Sequence, residues 1–144
     1  MWIQCLNMGY GDNGNGCYYQ TIEQVREWYK NWNNGSGNFY AYILIEDTGV
    51  FVGEVDIHWS RHYNAHMIGV VIDSKYREKR YSVKAIDLLV KQAFDVMKLE
   101  KIIDEFPSAR VAAERAFAKV GFERINEGLV ELTKESYAKY RKLL

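Results

Sequence analysis

The feature that most constrains the fold is a transition from strand to helix in the middle of the chain. A nearly continuous apolar run, AHMIGVVID, occupies residues 65–73. Such a run is typical of a strand that is covered on both faces near the centre of a sheet. After a charged turn comes a helix with one apolar stripe, formed by Ile86, Leu89, Val90, Ala93, Phe94 and Met97. This order predicts a sheet with a helix packed against it.

The turn between this strand and this helix is basic. Residues 77–82 read R-E-K-R-Y-S, which puts Arg77, Lys79 and Arg80 just before the helix. A helix N-terminus attracts anions because its first N–H groups lack intrahelical partners and its dipole is positive there. A phosphate site is therefore one interpretation, and a solvated basic turn is the other.

The chain as a whole has no excess of either charge. Its 144 residues include 19 Lys and Arg against 19 Asp and Glu. Proteins that bind nucleic acid or membrane surfaces are usually basic overall, so we expect neither partner and expect any anionic ligand to be small. No apolar run reaches the ~18 residues of a membrane span and no cationic leader is present, which predicts a cytoplasmic protein. The length predicts a single domain over residues 1–144.

Two patterns in the N-terminal segment are not interpreted as ligand sites. Gly9, Gly11 and Gly14 match G-x-G-x-x-G, but the polar Gly-rich sequence continues where a dinucleotide fingerprint requires a helix. A loop is predicted there. Cys5 and Cys17 lack the spacing of a zinc site or a disulfide framework, so no metal is expected and both are predicted to be free thiols.

Strand and helix signals alternate along the rest of the chain. A capping-box pattern at Thr21 begins a helix that ends by residues 33–35. Two β-type runs, NFYAYILIE and VFVGEVDIHW, are joined by a Gly-containing turn typical of an antiparallel hairpin. After the long helix come a strand KIIDEF, an Ala-rich helix from Ser108 closed by Gly121, a hairpin FERINEGLVEL and a last helix capped by Thr133. The fold class predicted is α+β (mixed α/β).

The second run of the first hairpin combines apolar and ionisable side chains. Its alternation puts on one face Phe51, Val55, Ile57 and Trp59. The opposite face carries Val52, Glu54, Asp56 and His58. This polar face is a candidate for a general base, His58 above all, because its unperturbed pKa of ~6.5 lies near neutrality. A solvent-exposed face is the alternative.

Three segments occur in an order shared with one enzyme superfamily. YREKRYSVKAIDLLVKQAF is similar to a pyrophosphate-binding turn and helix usually written Q/R-x-x-G-x-G/A, and AERAFAKVGFE is similar to the helix before the final strands. GEVDIHWSRHYNAHMIGVVID resembles the branch that contains ribosomal-protein and small-amine acetyltransferases. From about Thr21 onward the chain thus resembles the GNAT superfamily of acyl-CoA-dependent N-acyltransferases. The resemblance implies the GNAT fold, with a central mixed, mostly antiparallel sheet flanked by helices.

In that superfamily the basic turn wraps the pyrophosphate of coenzyme A. The resemblance assigns this role to Arg77, Glu78, Lys79, Arg80, Tyr81 and Ser82, and makes acetyl-CoA the expected cofactor. Arg80 stands where the family usually has glycine, and Ser82 stands where it has glycine or alanine. The resemblance implies that the central strand is splayed around Val70, Val71 and Ile72, where it is expected to pair with the pantetheine arm and to offer a backbone N–H to the thioester oxygen.

Three positions depart from the polar residues usual in the family. Phe117 replaces a tyrosine that often protonates the thiolate, Arg110 replaces an asparagine, and Met67 replaces a carboxylate of the central strand. Arg110 and Phe117 are still expected to contact the cofactor. Because phenylalanine has no proton to give, the thiolate is expected to leave through solvent.

The resemblance implies an N-acetyltransferase in which a primary amine attacks acetyl-CoA directly in a ternary complex. The acceptor is a small molecule or a peptide, and Glu54, Asp56 or His58 supplies the base. The alternative is a catalytically degenerate relative that binds acyl-CoA or another protein. Since 20 residues precede the first helix, fewer than the family's usual strand and helix, a homodimer is also predicted, through the C-terminal hairpin or the N-terminal aromatic segment.

Overall fold

The computed structural model describes residues 2–4, 19–33 and 37–143. Its strands are β1 (Trp2–Gln4), β2 (Tyr19–Thr21), β3 (Phe39–Ile45), β4 (Val50–Ser60), β5 (Ala65–Ile72), β6 (Lys101–Glu105), β7 (Glu123–Asn126) and β8 (Leu129–Thr133). Its α-helices are α1 (Ile22–Trp32), α2 (Tyr81–Lys91), α3 (Val111–Ala118) and α4 (Lys134–Lys142). A 3₁₀ turn (Ser74–Tyr76) precedes α2, and a π-helical turn (Gln92–Val96) follows it. The glycine motif at residues 9–14 and both cysteines lie outside the described residues.

Six of the strands form one mixed sheet. Their order is β3-β4-β5-β6-β8-β7, and β1 pairs separately with β2. Among the described strands, β5 and β6 are the one parallel pair, and all the other neighbours are antiparallel. Both the predicted α+β class and the mostly antiparallel sheet are confirmed, and the run at residues 65–73 is a central strand as expected.

Local signals set several element ends where the sequence predicts them. Thr21 caps α1 through a capping box with Gln24, in which each side chain bonds the other residue's backbone N–H at 3.2 and 2.8 Å. Gly121 closes α3 with a left-handed backbone, φ +98°. Thr133 caps α4. In contrast, α3 begins at Val111 and not at Ser108, because the segment before it forms a turn in which the Arg110 N–H bonds the Pro107 carbonyl at 2.8 Å.

The core lies between the sheet and α2. Its most completely buried large side chains include Ile57, Ile68, Ile86, Leu89, Ile102 and Leu132. Each contributes about 1.5–3 kcal/mol relative to an exposed position. The apolar stripe predicted for α2 is therefore core. Within the described part of the chain, no helix has both the length and the apolar character that a membrane crossing needs.

The predicted division of β4 into two faces is wrong at its ends. Phe51 and Trp59, expected on the apolar face, are 56% and 48% exposed, whereas Val52, expected on the polar face, is fully buried. The reason at the start of the strand is a β-bulge, since the β3–β4 register shifts between Ile43 and Leu44. A bulge exchanges the faces of the residues beyond it. Sequence alternation alone cannot reveal such a shift.

Strands β5 and β6 part soon after they meet. β5 pairs with β4 along its whole length, from Ala65 to Ile72, but it pairs with β6 only at His66↔Ile102 and Met67↔Ile103. β6 meanwhile stays paired with β8 as far as Glu105. The sheet is thus split in its middle, beyond Met67, as the resemblance led us to expect.

Candidate active site

The basic turn ends in an open helix N-terminus. Arg80 is the N-cap of α2, makes no capping hydrogen bond with its side chain, and has a left-handed backbone, φ 65° and ψ 12°. Glu78 is also left-handed, with φ 62°. This conformation suits glycine and costs other residues roughly 1–2 kcal/mol. The turn therefore keeps the geometry of a glycine-containing loop although it contains arginine.

A cleft of about 460 Å³ opens in front of this helix N-terminus. It is bounded by the end of β5, the basic turn, the first turn of α2, and α3. Of the residues assigned to the cofactor, those that line it are Val70, Val71, Ile72, Arg77, Glu78, Arg80, Tyr81, Ser82, Arg110 and Phe117. Lys79 is not among them, and its ammonium lies 5.6 Å from the centre of the Tyr76 ring.

The charges around the cleft favour an anion. Four arginines and one lysine line it against one carboxylate, and these cations are Arg77, Arg80, Arg110, Arg115 and Lys119. Together with the positive end of α2 they form a local positive field in a chain of zero net charge. The lining also has apolar side chains, among them Phe117, which is buried and stacks on Phe106 with ring centres 5.8 Å apart. The cleft thus suits a ligand with both phosphate and apolar parts.

The polar face of β4 (Glu54, Asp56 and His58) lies on the other side of the sheet and is half-buried. Tyr40 of β3 donates a hydrogen bond from its hydroxyl to Glu54 Oε2, at 2.5 Å. Burial and this bond raise the pKa of Tyr40 above its ordinary value. Helix α1 covers the face, because Trp32 packs against His58 and Trp28 packs against Tyr40. The face is therefore partly covered by aromatic side chains and is not a fully solvated surface.

Asp56 and His58 form a hydrogen-bonded pair. His58 Nδ1 lies 2.7 Å from Asp56 Oδ2, with side chains 36% and 24% exposed. The bond to Asp56 raises the pKa of His58, while burial acts in the opposite direction. If Nδ1 carries the proton shared with Asp56, Nε2 is the nitrogen that accepts a proton. The pair thus has the arrangement of a general base with an orienting carboxylate.

Gly69 of β5 makes room for the Asp56 carboxylate. The two residues face each other across β4 and β5. A Cβ atom at Gly69 would overlap Oδ1 of the Asp56 carboxylate. Glycine at this position thus marks a close approach of another group to the backbone of β5.

Asp104 is an ionisable residue of this region that the sequence reasoning missed. Burial raises the pKa of Asp104 to about 7, and the negative charge of Asp56 adds to the rise. A hydrogen bond from the Glu105 N–H, at 2.9 Å, and the positive charges of Arg110 and His58 oppose it. One signal was available: in KIIDEF the aspartate occupies an inward position of an apolar strand, between Ile102 and Phe106.

A family model matches most of the chain. Residues 8–123 match the model described as an acetyltransferase (GNAT) domain.

The chain belongs to the GNAT acetyltransferase family.

Solved structures of other GNAT proteins have the same fold. A GNAT-family acetyltransferase from Bacillus anthracis is 24% identical, with a TM-score of 0.65, over 89% of this chain and 81% of that one. The spermidine N-acetyltransferase of Vibrio cholerae, solved with CoA and spermine, is 13% identical, with a TM-score of 0.68, over 83% and 79%. A Vibrio cholerae protein with a suggested ribosomal-protein-serine acetyltransferase activity is 17% identical, with a TM-score of 0.64, over 77% and 72%. No curated protein sequence matches significantly.

The cleft fits the acetyl-CoA that the GNAT family uses. Coenzyme A has a pyrophosphate, which suits the helix N-terminus and the cations, and a narrow pantetheine arm, which suits the split beside β5. In the described residues no group of three or more His, Cys, Asp or Glu is arranged to hold a metal ion.

The arginine in the glycine position gives a direct test of the turn. We expect Arg80→Gly and Arg80→Ala each to weaken coenzyme A binding about fivefold to tenfold in calorimetry, because both remove a cation from the cleft. Since glycine adopts φ 65° with less strain than alanine, the free energy of unfolding of the glycine variant should exceed that of the alanine variant by ~1 kcal/mol. Lys79→Ala is the matched control and should bind normally. Equal losses in all three variants would refute a specific role of Arg80.

Proposed function

We propose that this protein transfers the acetyl group of acetyl-CoA to a primary amine that attacks it directly in a ternary complex. The observation that carries the proposal is the position of β5 between two features. The Asp56 carboxylate lies against Gly69, and the next residue, Val70, lines the cleft with its cations. One strand thus has the proton-accepting pair on one side and the candidate cofactor site on the other.

This chain has a group for cofactor binding, for stabilisation of the thioester oxygen and for proton transfer. The first amides of α2, with Arg77 and Arg80, hold the pyrophosphate, and the edge of β5 at residues 70–72 binds the pantetheine arm and donates an N–H to the thioester oxygen. His58 accepts a proton from the incoming amine, and Asp56 orients the ring and stabilises its charged form. The donor supplies an activated acetyl thioester. Met67 occupies the position of the family's strand carboxylate and faces His58 across β4 and β5. This pairing supports His58 as a general base that lies on β4, one strand away from the family's position on β5.

The wall next to the polar face suits a cationic acceptor. This acceptor wall consists of Trp28, Trp32, Tyr40 and Tyr42, and it adjoins Glu54 and Asp56. Aromatic faces and carboxylates both attract ammonium groups. The Vibrio cholerae spermidine N-acetyltransferase, a relative in fold, was crystallised with the polyamine spermine. We therefore propose a small polycationic amine as acceptor and rank a peptide second.

Thiol release from acetyl-CoA across an amine panel tests this function. The panel contains a polyamine, an aminoglycoside, a peptide with a free N-terminus and a neutral amine. We expect amine-dependent release that is fastest with the polyamine. Release that is the same with and without amine, or no release from a protein that binds coenzyme A, would overturn the proposal.

A second candidate is a GNAT-fold protein that binds acyl-CoA without turnover. Phe117 favours it, because the residue in the family's acid position stacks on Phe106, meets Phe122 edge-on and has no proton to donate. Coenzyme A would then raise the melting temperature by mass action while no amine released thiol.

We also propose self-association through the C-terminal hairpin. β7 is an edge strand, and all four of its residues are exposed, including Ile125 at 52%. Edge strands with apolar side chains are commonly covered by another chain. Light scattering after size exclusion tests this: a dimer mass that Ile125→Lys lowers to the monomer mass supports it, and a monomer mass for the wild type refutes it. The N-terminal aromatic segment lies largely outside the described residues.

A further inference from the structure

Asp104 occupies the split in the sheet. It directly follows Ile103, the last residue of β6 that pairs with β5. Opposite it on β8 lies the buried Val130, and next on its own side of β6 comes Phe106, which stacks on Phe117. A carboxyl group is thus present among apolar side chains where the two strands separate.

Charged groups approach Asp104 from two sides. From β4, the charges of both members of the Asp56–His58 pair act on Asp104: the charge of Asp56 raises its pKa and that of His58 lowers it. From the start of α3, Arg110 is close enough for its charge to act on Asp104, and Arg110 lines the cleft. The neighbouring Glu131 of β8 pairs with Lys101 at 3.4 Å. Charges from both the polar face and the cleft therefore act on Asp104.

We propose that Asp104 is the general acid that protonates the departing thiolate of coenzyme A. The inference rests on the proposed acetyl transfer and adds a group to it. It also fills the task left open by Phe117, whose ring belongs to the same aromatic stack that Asp104 adjoins.

The proton count is consistent with this role. A protonated amine loses one proton to His58 and then attacks the thioester carbon through its nitrogen. The C–N bond forms, the tetrahedral adduct loses a second proton as it collapses, and the C–S bond breaks. Asp104 gives its proton to the sulfur and is reprotonated by the proton that the adduct lost. One proton of the amine thus ends on the thiol, and the other leaves His58 for solvent.

The protonation equilibria permit the transfer at neutral pH. Since the pKa of Asp104 is about 7, a substantial fraction of the molecules carries the proton there. A thiol has an ordinary pKa of about 8.5, so transfer from Asp104 to the thiolate is favourable. An exposed aspartate would be ionised and unable to donate.

The test compares Asp104→Asn with Asp87→Asn in the amine assay. Asp87 is a half-buried aspartate of α2 that pairs with Lys91, and its variant should behave as the wild type. For Asp104→Asn we expect kcat at saturating substrates to fall about tenfold or more, with coenzyme A affinity unchanged. As pH increases, the wild-type kcat should rise through the pKa of His58 and then decrease above about pH 7. In Asp104→Asn the rise should remain, and the decrease at high pH should be absent.

A stability measurement tests whether the variant is folded and whether Asp104 holds its proton in the native state. The native state holds the Asp104 proton up to about pH 7, and the unfolded chain releases it near ~4. The wild type therefore loses stability as pH rises between these values, and Asp104→Asn should not.

The possible outcomes separate the two proposals. A folded Asp104→Asn protein with wild-type kcat and pH profile would overturn the role of Asp104 and leave acetyl transfer intact. A loss of kcat at every pH with the fall above neutrality retained would also overturn it, since it indicates a structural effect. If the wild-type protein releases no thiol with any amine, the proposed function fails, and the role of Asp104 fails with it.

Discussion

Replacing His58 by asparagine is expected to lower kcat about a hundredfold to a thousandfold while coenzyme A binds normally. Asparagine keeps a donor near Asp56, so the variant removes the proton acceptor Nε2 without leaving the carboxylate unpaired. Steady-state kinetics and calorimetry measure the two quantities. His62→Asn, in the turn between β4 and β5, is the matched control and should leave kcat unchanged. A His58→Asn protein with normal kcat would exclude His58 as the base.

The partner of His58 gives the same account a pH dependence. Because the hydrogen bond to Asp56 raises the pKa of His58, Asp56→Asn should lower that pKa and move the low-pH limb of the kcat profile to lower pH. The same bond stabilises the fold below the unfolded pKa of ~6.5, and that stabilisation is lost as pH rises through the higher folded value. If the low-pH limb of the kcat profile lies at the same pH in Asp56→Asn as in the wild type, a group other than His58 is responsible for it.

The second large effect is expected at Gly69. A methyl group there would overlap the Asp56 carboxylate, so Gly69→Ala should displace the carboxylate and lower kcat about tenfold to a hundredfold. The fold should persist at a cost of about 1–3 kcal/mol, measured by urea unfolding. Gly49→Ala serves as control: its Cβ would meet nothing within 4 Å, and only its left-handed backbone, φ 67°, carries a cost. Kinetics of that control should match the wild type.

A double variant separates displacement of Asp56 from general damage. Asp56→Ala removes the atoms with which the new methyl group overlaps, so adding Gly69→Ala to it should lower kcat little further. If the two losses multiply, Gly69 acts through something other than Asp56.

Elements with local signals could be predicted from the sequence. Thr21, Gly121 and Thr133 mark helix ends through hydrogen bonds or backbone preferences that span a few residues, and each was found where expected. The hairpin of β3 and β4 followed from its two runs and the glycine between them. The resemblance to the GNAT superfamily added the split between β5 and β6, which no single segment encodes.

Features that depend on distant residues were missed. The exposure of Phe51 arises from a register shift against β3, and the raised pKa of Asp104 arises from burial and from the charge of Asp56 two strands away. The sequence also left open how Arg80 fits a glycine position. In the structure the backbone of Arg80 is left-handed, as a glycine would be, and the arginine adopts this conformation at a modest cost in conformational free energy.

The most direct test of the central claim follows the acetyl group itself. The protein is incubated with acetyl-CoA carrying an isotopic label in the acetyl group and with a polyamine, and the products are identified by mass spectrometry. Acetyl transfer predicts a labelled N-acetylpolyamine that forms in step with free coenzyme A with the wild-type protein, and that forms far more slowly with His58→Asn. Unchanged polyamine in the presence of folded, coenzyme A-binding protein, or equal product with both proteins, would contradict the account.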